Sequence, residues 1–415
     1  MTAQTSAQTS ARPASSFRAA ERIGRIKPSP STAAAARVRE LKGQGRSILD
    51  LTVGEPDFDT PDHIKQAAIA AIEAGETKYT PVNGTPRLRQ AIRGALQRTH
   101  GIEYADAEIT VGGGGKQVIF LALMATVDAG DEVLIPAPYW VSYPDMVRAN
   151  EGTPVIVPTS ADNGYKVTAA QLEAAITDRT TWLILNSPGN PSGAIHTEEE
   201  LSALAEVLRR HPAVSVLSDE IYSEISFTGT PAPSLAAVAP DLRHRVLVVS
   251  GVSKSYAMTG WRLGYAAGDP ALIGAINTLQ SQTSSCPSSI SQAAAAAALD
   301  GPQDFIAASV PVYRERRDVA VAGLRAIDGL TPLVPDGAFY LYVDCAGLIG
   351  RTTPDGKVLA DDQDVTFYLL DQAGVAVIQG SAYGSSPFFR ISFATDLDTI
   401  TAAIEKIAEA VAALR

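Results

Sequence analysis

RVLVVSGVSKSYAMTGWRLG, Arg245 to Gly264, is the stretch from which the rest of the chain is read. The apolar run Val246 to Val249 ends at Ser250 and Gly251, the pattern of a buried strand closed by a turn, and Lys254 stands in that turn. Arg262 follows beside Trp261, between Gly260 and Gly264. Desolvation at a strand mouth disfavours an ammonium and lowers its pKa, which leaves an amine able to form a Schiff base with an aldehyde or carbonyl. Taken alone, Lys254 is better explained as a lysine whose stem lies on apolar surface while its charge reaches water. Its neighbours change that balance.

Upstream, DEVLIPAPYW, TPVIVP, TWLILNSPG and VSVLSDEIY repeat the motif of a short apolar strand, separated by helical stretches such as Glu198 to Arg210. Strands alternating with helices predict an α/β fold, a mainly parallel sheet covered on both faces. Such sheets bind ligands beyond the carboxyl ends of their strands. Trp140, Asn190, Asp219, Tyr222 and Lys254 all fall there. Further upstream, EITVGGGGKQVIFLALMATV reads as strand, glycine loop and helix, a turn whose N–H groups and helix dipole suit a phosphate. Gln117 breaks both the P-loop and the GxGxxG spacing, so a tight strand-to-helix turn explains this loop equally well.

Beyond Asp300 the texture changes to a long helix over Phe305 to Ala326, a strand in GAFYLYVDC, a polar loop from Ala346 to Asp364, a helix over Val365 to Ala373, strands in VAVIQG and FFRISFA, and an amphipathic helix from Asp396. A second, smaller α+β domain is expected there. The expected division is a disordered tail over 1–16, an N-terminal segment over 17–54 that joins the small domain, a large domain over 55–300 and the small domain over 301–415. In the N-terminal half, Asp59-Thr60-Pro61 reads as a cap for a helix over Asp62 to Ala74, and Tyr79 as an exposed loop tyrosine.

With 415 residues, 46% of them apolar, the chain can bury a large core. A formal net charge of −11 without any Lys/Arg block argues against nucleic-acid or anionic-membrane partners. Cys286 and Cys345 have no CxxC spacing, and His63, His100, His196, His211 and His244 form no zinc pattern, so neither a disulfide framework nor a metal site is expected. MTAQTSAQTSARPASS lacks the apolar core of a signal peptide, and Val118 to Val127 is too short to span a bilayer, which predicts a cytoplasmic protein.

GVSKSYAMTGWRLG resembles the cofactor-lysine signature of the class I aminotransferases, pyridoxal-phosphate enzymes of fold type I. The resemblance runs from about Arg25 to the C-terminus through KPSPST, LTVGEPDFDTP, KYTPVNGTPRLR, GGKQ, PAPYWVSYPDM, NSPGNPSG, SDEIY and FRISFAT, and is greatest to the bacterial aspartate aminotransferases of the GGKQ/YWVSYP branch. It implies that Lys254 forms the Schiff base with pyridoxal 5'-phosphate and, once freed, moves the substrate proton. Asp219 would face the pyridine nitrogen, Tyr222 and Asn190 the phenolic oxygen, and Trp140 the ring face. Gly114, Gly115, Lys116 and Arg262 would hold the phosphate, with Tyr79 reaching it from the other subunit of a homodimer.

The same resemblance implies an amino acid and a 2-oxo acid as substrates, with Arg390 on the α-carboxylate and Lys116 on the distal carboxylate, and with Gly54, Trp140 and Asn190 completing the substrate site. A solvated loop lysine is the competing explanation of Lys116. Many relatives carry serine where Gly251 stands, so Ser250 or Ser253 would have to replace that hydroxyl. Relatives that use prephenate pair a threonine, here Thr85, with a basic residue where this chain has Ser160. Aspartate:2-oxoglutarate transamination is the leading expectation. The alternatives are prephenate/glutamate or aromatic transamination, a β-eliminating lyase, and a non-catalytic homologue; retention of both Lys254 and Asp219 argues against the last. A nucleotide-dependent dehydrogenase lacks its fingerprint.

Overall fold

The computed structural model describes residues 18–28 and 30–415, and the tail expected over 1–16 lies outside the described residues. Seven short strands form the main sheet: β1 (Ile109–Gly112), β2 (Glu132–Ala137), β3 (Thr153–Pro158), β4 (Thr180–Asn186), β5 (Ser215–Asp219), β6 (Val246–Gly251) and β7 (Gly264–Ala267). Their spatial order is β1, β7, β6, β5, β4, β2, β3. β7 runs antiparallel to both its neighbours and the other pairs are parallel, giving the mixed, mainly parallel α/β sheet expected from the strand-helix alternation.

Alternation along the central strands explains why they read as unbroken apolar runs. Leu183, Leu185, Val216, Val246 and Val248 pack into one core, while Trp182, Ile184, Leu217, Leu247 and Val249 pack into another on the opposite face. A strand covered on both sides has no polar face, and each fully buried aliphatic side chain contributes roughly 1.5–3 kcal/mol.

Up to residue 150 the α-helices among the described residues are α1 (Pro30–Gly43), α2 (Asp62–Glu73), α3 (Pro86–His100), α4 (Gly115–Thr126) and α5 (Tyr143–Ala149). α3 begins where Thr85 Oγ1 accepts the Leu88 N–H at 3.2 Å and ends at Gly101, whose φ of 70° lies in the left-handed region. The cap expected for α2 differs. Pro61 occupies the N-cap without a side-chain bond, because Thr60 Oγ1 donates instead to the Ala257 carbonyl at 2.6 Å and so ties this loop to the Lys254 turn.

A second, four-stranded antiparallel sheet comprises β8 (Thr331–Pro332), β9 (Tyr340–Asp344), β10 (Ile378–Gln379) and β11 (Phe388–Ser392), in the order β10, β11, β9, β8. Phe389 and Ile391 of β11 join Tyr313, Leu324, Ile404 and Ile407 of the helices Asp304–Arg325 and Leu397–Ala412 in a separate core. Arg390, between them in sequence, therefore projects from the other side of β11. VAVIQG does not make one strand. It divides into Val375–Ala376, paired in parallel with Leu49–Asp50, and β10, paired with β11. The helix expected over Val365 to Ala373 starts earlier, at Asp362 under an Asp361 cap, and closes as a π turn over Leu369–Ala373.

Candidate active site

β2, β4, β5 and β6 end at one edge of the main sheet, and their loops carry Trp140, Asn190, Tyr222 and Lys254 into a cavity of about 550 Å³, with Asp219 the last residue of β5. Gly115, Lys116 and Arg262 line the same cavity, and Thr52, Gly54, Tyr340 and Arg390 close it from the second sheet and the segment before α2. Leu51 hydrogen-bonds β11 through its carbonyl and the Ser392 N–H at 2.8 Å, which holds Thr52 and Gly54 against Arg390. A Cβ on Gly54 would stand 2.7 Å from the Tyr340 hydroxyl, so this close approach requires glycine.

Asp219 is 6% exposed and accepts the Tyr143 hydroxyl at 2.6 Å and the Ile221 N–H at 3.3 Å. Burial pushes its pKa up to about 6, against the pull of those two donors. Burial also drives the Tyr143 hydroxyl well above its ordinary value, which keeps it a donor. Lys254 Nζ donates to the Gly54 carbonyl and lies 5.8 Å from the ring centres of Tyr222 and Phe339. Burial lowers its pKa to about 8; Glu55 opposes the shift, and Arg390 and Arg262 reinforce it.

Arg390 is 3% exposed. Its Nη1 donates to Asn190 Oδ1 at 3.0 Å and its Nη2 to the Thr52 carbonyl at 2.6 Å, while its Nε is buried without a partner. The guanidinium sits 4.4 Å from the ring centre of Tyr340 and 5.3 Å from that of Tyr383. The Tyr222 and Tyr340 hydroxyls are 2.8 Å apart, so the tyrosine of β5's loop is linked to the wall that carries Arg390.

Gly114 caps α4 with φ 97°, and a Cβ there would lie 2.5 Å from Arg262 Nη2, so both conformation and space exclude a side chain. Gln117 Oε1 takes the Gly113 N–H at 2.5 Å and the Gly112 carbonyl takes the Gly114 N–H at 2.7 Å, so Gly114, expected as a phosphate donor, is already bonded, and Gly115 and Lys116 supply the first-turn amides that have no carbonyl ahead of them. Arg262 has φ 54° and is held by bonds to the Thr259 carbonyl at 2.9 Å and the Gly113 carbonyl at 3.4 Å. Lys116 Nζ lies 4.6 Å from the Trp140 ring centre, and burial, then the charge of Arg262, lowers its pKa. It lines the cavity and stays exposed to solvent. The arrangement can bind an anion at the loop, hold a carboxylate at Arg390, and offer an amine of lowered pKa between them.

Of the serines expected to replace a hydroxyl at position 251, Ser253 lines the cavity, whereas Ser250 Oγ turns to the Glu220 carbonyl at 3.4 Å. Position 251 itself has little room, since a Cβ would stand 3.0 Å from Gly264 Cα. Tyr79 is not brought into the cavity of its own chain and is 89% exposed. Tyr143 and Tyr340 were not singled out from sequence as functional residues. Each lies inside a quoted stretch, YWVSYP or GAFYLYVDC, but nothing in the spacing says that their hydroxyls meet Asp219 and Tyr222.

The sequence matches the family described as aminotransferase class I and II over residues 46–407. It is 52% identical over 394 residues to an aspartate aminotransferase of Rhizobium meliloti (strain 1021), covering 95% of this chain and 96% of the relative. It is 50% identical over 385 residues to an aspartate/prephenate aminotransferase of Cereibacter sphaeroides, covering 93% and 96%. The crystal structure of the aspartate aminotransferase from Rhizobium meliloti superposes with a TM-score of 0.94 at 51% identity, covering 96% of this chain and all of that one.

Proposed function

The chain belongs to the class I and II aminotransferases, and on that premise we propose that it moves the amino group of aspartate to 2-oxoglutarate in two half-reactions on pyridoxal 5'-phosphate. When bound, that cofactor supplies the electron sink that makes the amino acid's Cα–H acidic. The residues present suit it. The Lys254 amine of lowered pKa is a partner for its aldehyde, buried Asp219 is the anion a protonated ring nitrogen needs, and the first-turn amides of α4 with Arg262 form a phosphate cradle that a side chain on Gly114 would fill. Trp140 offers a ring face, and Tyr222 and Asn190 offer polar tips at the cavity wall.

One observation carries the substrate assignment: of the four basic side chains that line the cavity with Lys254, namely Arg39, Lys116, Arg262 and Arg390, Arg262 belongs to the phosphate cradle, and Arg390 and Lys116 are assigned to the substrate. A dicarboxylic amino acid needs both. Arg390 presents a fork fixed by Asn190 and Thr52, with Nε still free of partners, to the α-carboxylate. Lys116, braced on Trp140, takes the distal carboxylate. Lys254 Nζ would take the proton from Cα and hand it on to the cofactor within the same half-reaction, and would run the transfer in reverse in the other half, a task suited to an amine whose pKa lies near 8. Gly54, Trp140 and Asn190 shape the substrate's path to these groups.

The proposal extends to a homodimer in which the exposed Tyr79 reaches the phosphate of the partner's site. It divides the chain into a segment over 17–54, a large domain over 55–300 and a small one over 301–415. Cys286 and Cys345 are unpaired, which agrees with a cytoplasmic setting, and among the described residues no helix is long and apolar enough to cross a membrane. The test is steady-state kinetics with aspartate and 2-oxoglutarate, which should give parallel double-reciprocal lines and oxaloacetate. Release of pyruvate and ammonia, or faster turnover of prephenate or aromatic pairs than of this one, would replace the substrate assignment. Thr85 gives prephenate no direct support, because its hydroxyl caps α3 and does not line the cavity.

A further inference from the structure

Directly behind Asp219 lies a second buried carboxylate that the transamination scheme does not use. Successive residues of an extended strand face opposite sides, so Leu217 and Asp219 turn towards the cavity side of the sheet while Ser218 and Glu220 turn towards α3. Glu220 is 2% exposed. Its Oε1 accepts the hydroxyls of Ser218 and Ser234, each at 2.7 Å, whereas its Oε2 has no hydrogen bond. Facing that bare oxygen is the His100 imidazole, whose Nε2 is 3.5 Å away and whose side chain is 6% exposed.

His100 is the last residue of α3, where the carbonyl ends of the helix favour a positive charge. The other charged and titratable groups around Glu220 do not compensate it. Glu224 is a further acid, Tyr104 and Tyr265 are phenols that burial keeps protonated, and Arg98 is turned to the Leu299 carbonyl at 3.0 Å. Asp219 and Glu220 are thus two buried carboxylates on adjacent residues. Unless each has its own cation, one of the two takes up a proton.

We propose that His100 is a positioning residue: as imidazolium it balances Glu220, and so leaves Asp219 as an ionised carboxylate available to the ring nitrogen of pyridoxal phosphate. The inference rests on the assignment of that cofactor to the cavity. It also gives a role to His100, which stands in no zinc-ligand spacing with the other histidines.

The test compares the apo forms of the wild type, H100N, E220Q and H100N/E220Q by titrating each with pyridoxal phosphate and following tryptophan fluorescence, with thermal melts recorded in parallel. H100N should bind the cofactor about tenfold more weakly, the equivalent of one pKa unit at Asp219. E220Q should bind at least as tightly as the wild type, and the double variant should return to within about threefold of it, because the competing carboxylate is gone. Wild-type affinity in H100N, or a double variant as weak as H100N, would overturn the proposal. If H100N does not fold, E220Q decides alone, since a tenfold loss there contradicts charge competition. Failure of the wild type itself to bind pyridoxal phosphate would instead remove the underlying cofactor assignment.

Discussion

The two walls of the cavity hold their cations in opposite ways. On the main-sheet side, Lys254 has a single carbonyl partner and a pKa brought down to about 8, so it can be either ammonium or amine near neutral pH. On the second-sheet side, Arg390 is bonded to Asn190 and Thr52 and flanked by the rings of Tyr340 and Tyr383. A guanidinium does not lose its proton in a protein. On the proposed function, one wall moves a proton and the other presents a fixed charge in a fixed direction. Substitutions at the first should therefore lower turnover, and substitutions at the second should weaken substrate capture.

The largest effect is expected at Lys254. Lys254→Ala removes the amine altogether, and kcat measured with aspartate and 2-oxoglutarate should fall by on the order of 10⁴-fold or more. Activity within about tenfold of the wild type would erase the distinction between the walls. Next in size is Arg390→Lys, which keeps the charge but loses the fork. It should lower kcat/KM by about 1.5–3 kcal/mol, and by the same amount for aspartate as for a monocarboxylic amino acid, because both carry the α-carboxylate.

Lys116 sharpens the comparison, because it is a second lysine of lowered pKa on the main-sheet wall, proposed to bind a carboxylate and not to move a proton. Lys116→Ala should cost roughly tenfold in kcat/KM for aspartate and far less for alanine. An equal loss for both would mean that Lys116 serves the phosphate loop alone. The smallest effect is expected at Tyr143, which touches neither substrate nor Lys254. Tyr143→Phe removes the 2.6 Å bond to Asp219, a donor that favours the ionised carboxylate, so the Asp219 pKa should rise beyond about 6. The acid limb of the kcat/KM profile should move to higher pH, with a loss of about 1 kcal/mol near neutrality.

The same contrast separates what could be read in the sequence from what could not. The residues of the main-sheet wall follow strand ends: Val246 to Val249 runs into the Lys254 turn, and VSVLSD ends on Asp219, so period and turn chemistry placed them without any contact being known. Arg390 was found from its motif. Its position opposite Lys254 depends on the pairing of Tyr342 with Arg390 across β9 and β11 and on the bond from Ser392 to Leu51, neither of which local sequence states. The bonds of Tyr143 to Asp219 and Tyr340 to Tyr222 span 76 and 118 residues. No helical or strand period encodes contacts at that separation, and the same holds for His100 and Glu220. Local chemistry also misled where a tertiary bond competed, as at Thr60, whose hydroxyl serves Ala257 and not the start of α2.

A single-turnover experiment tests the central claim most directly. Purified enzyme loaded with pyridoxal phosphate is mixed with aspartate in the absence of any 2-oxo acid, and oxaloacetate is counted while the visible absorbance of the cofactor is followed. One oxaloacetate per active site, formed as the absorbance shifts and reversed by adding 2-oxoglutarate, is the predicted result. No oxaloacetate from aspartate, with another amino acid driving the same spectral change, would contradict it.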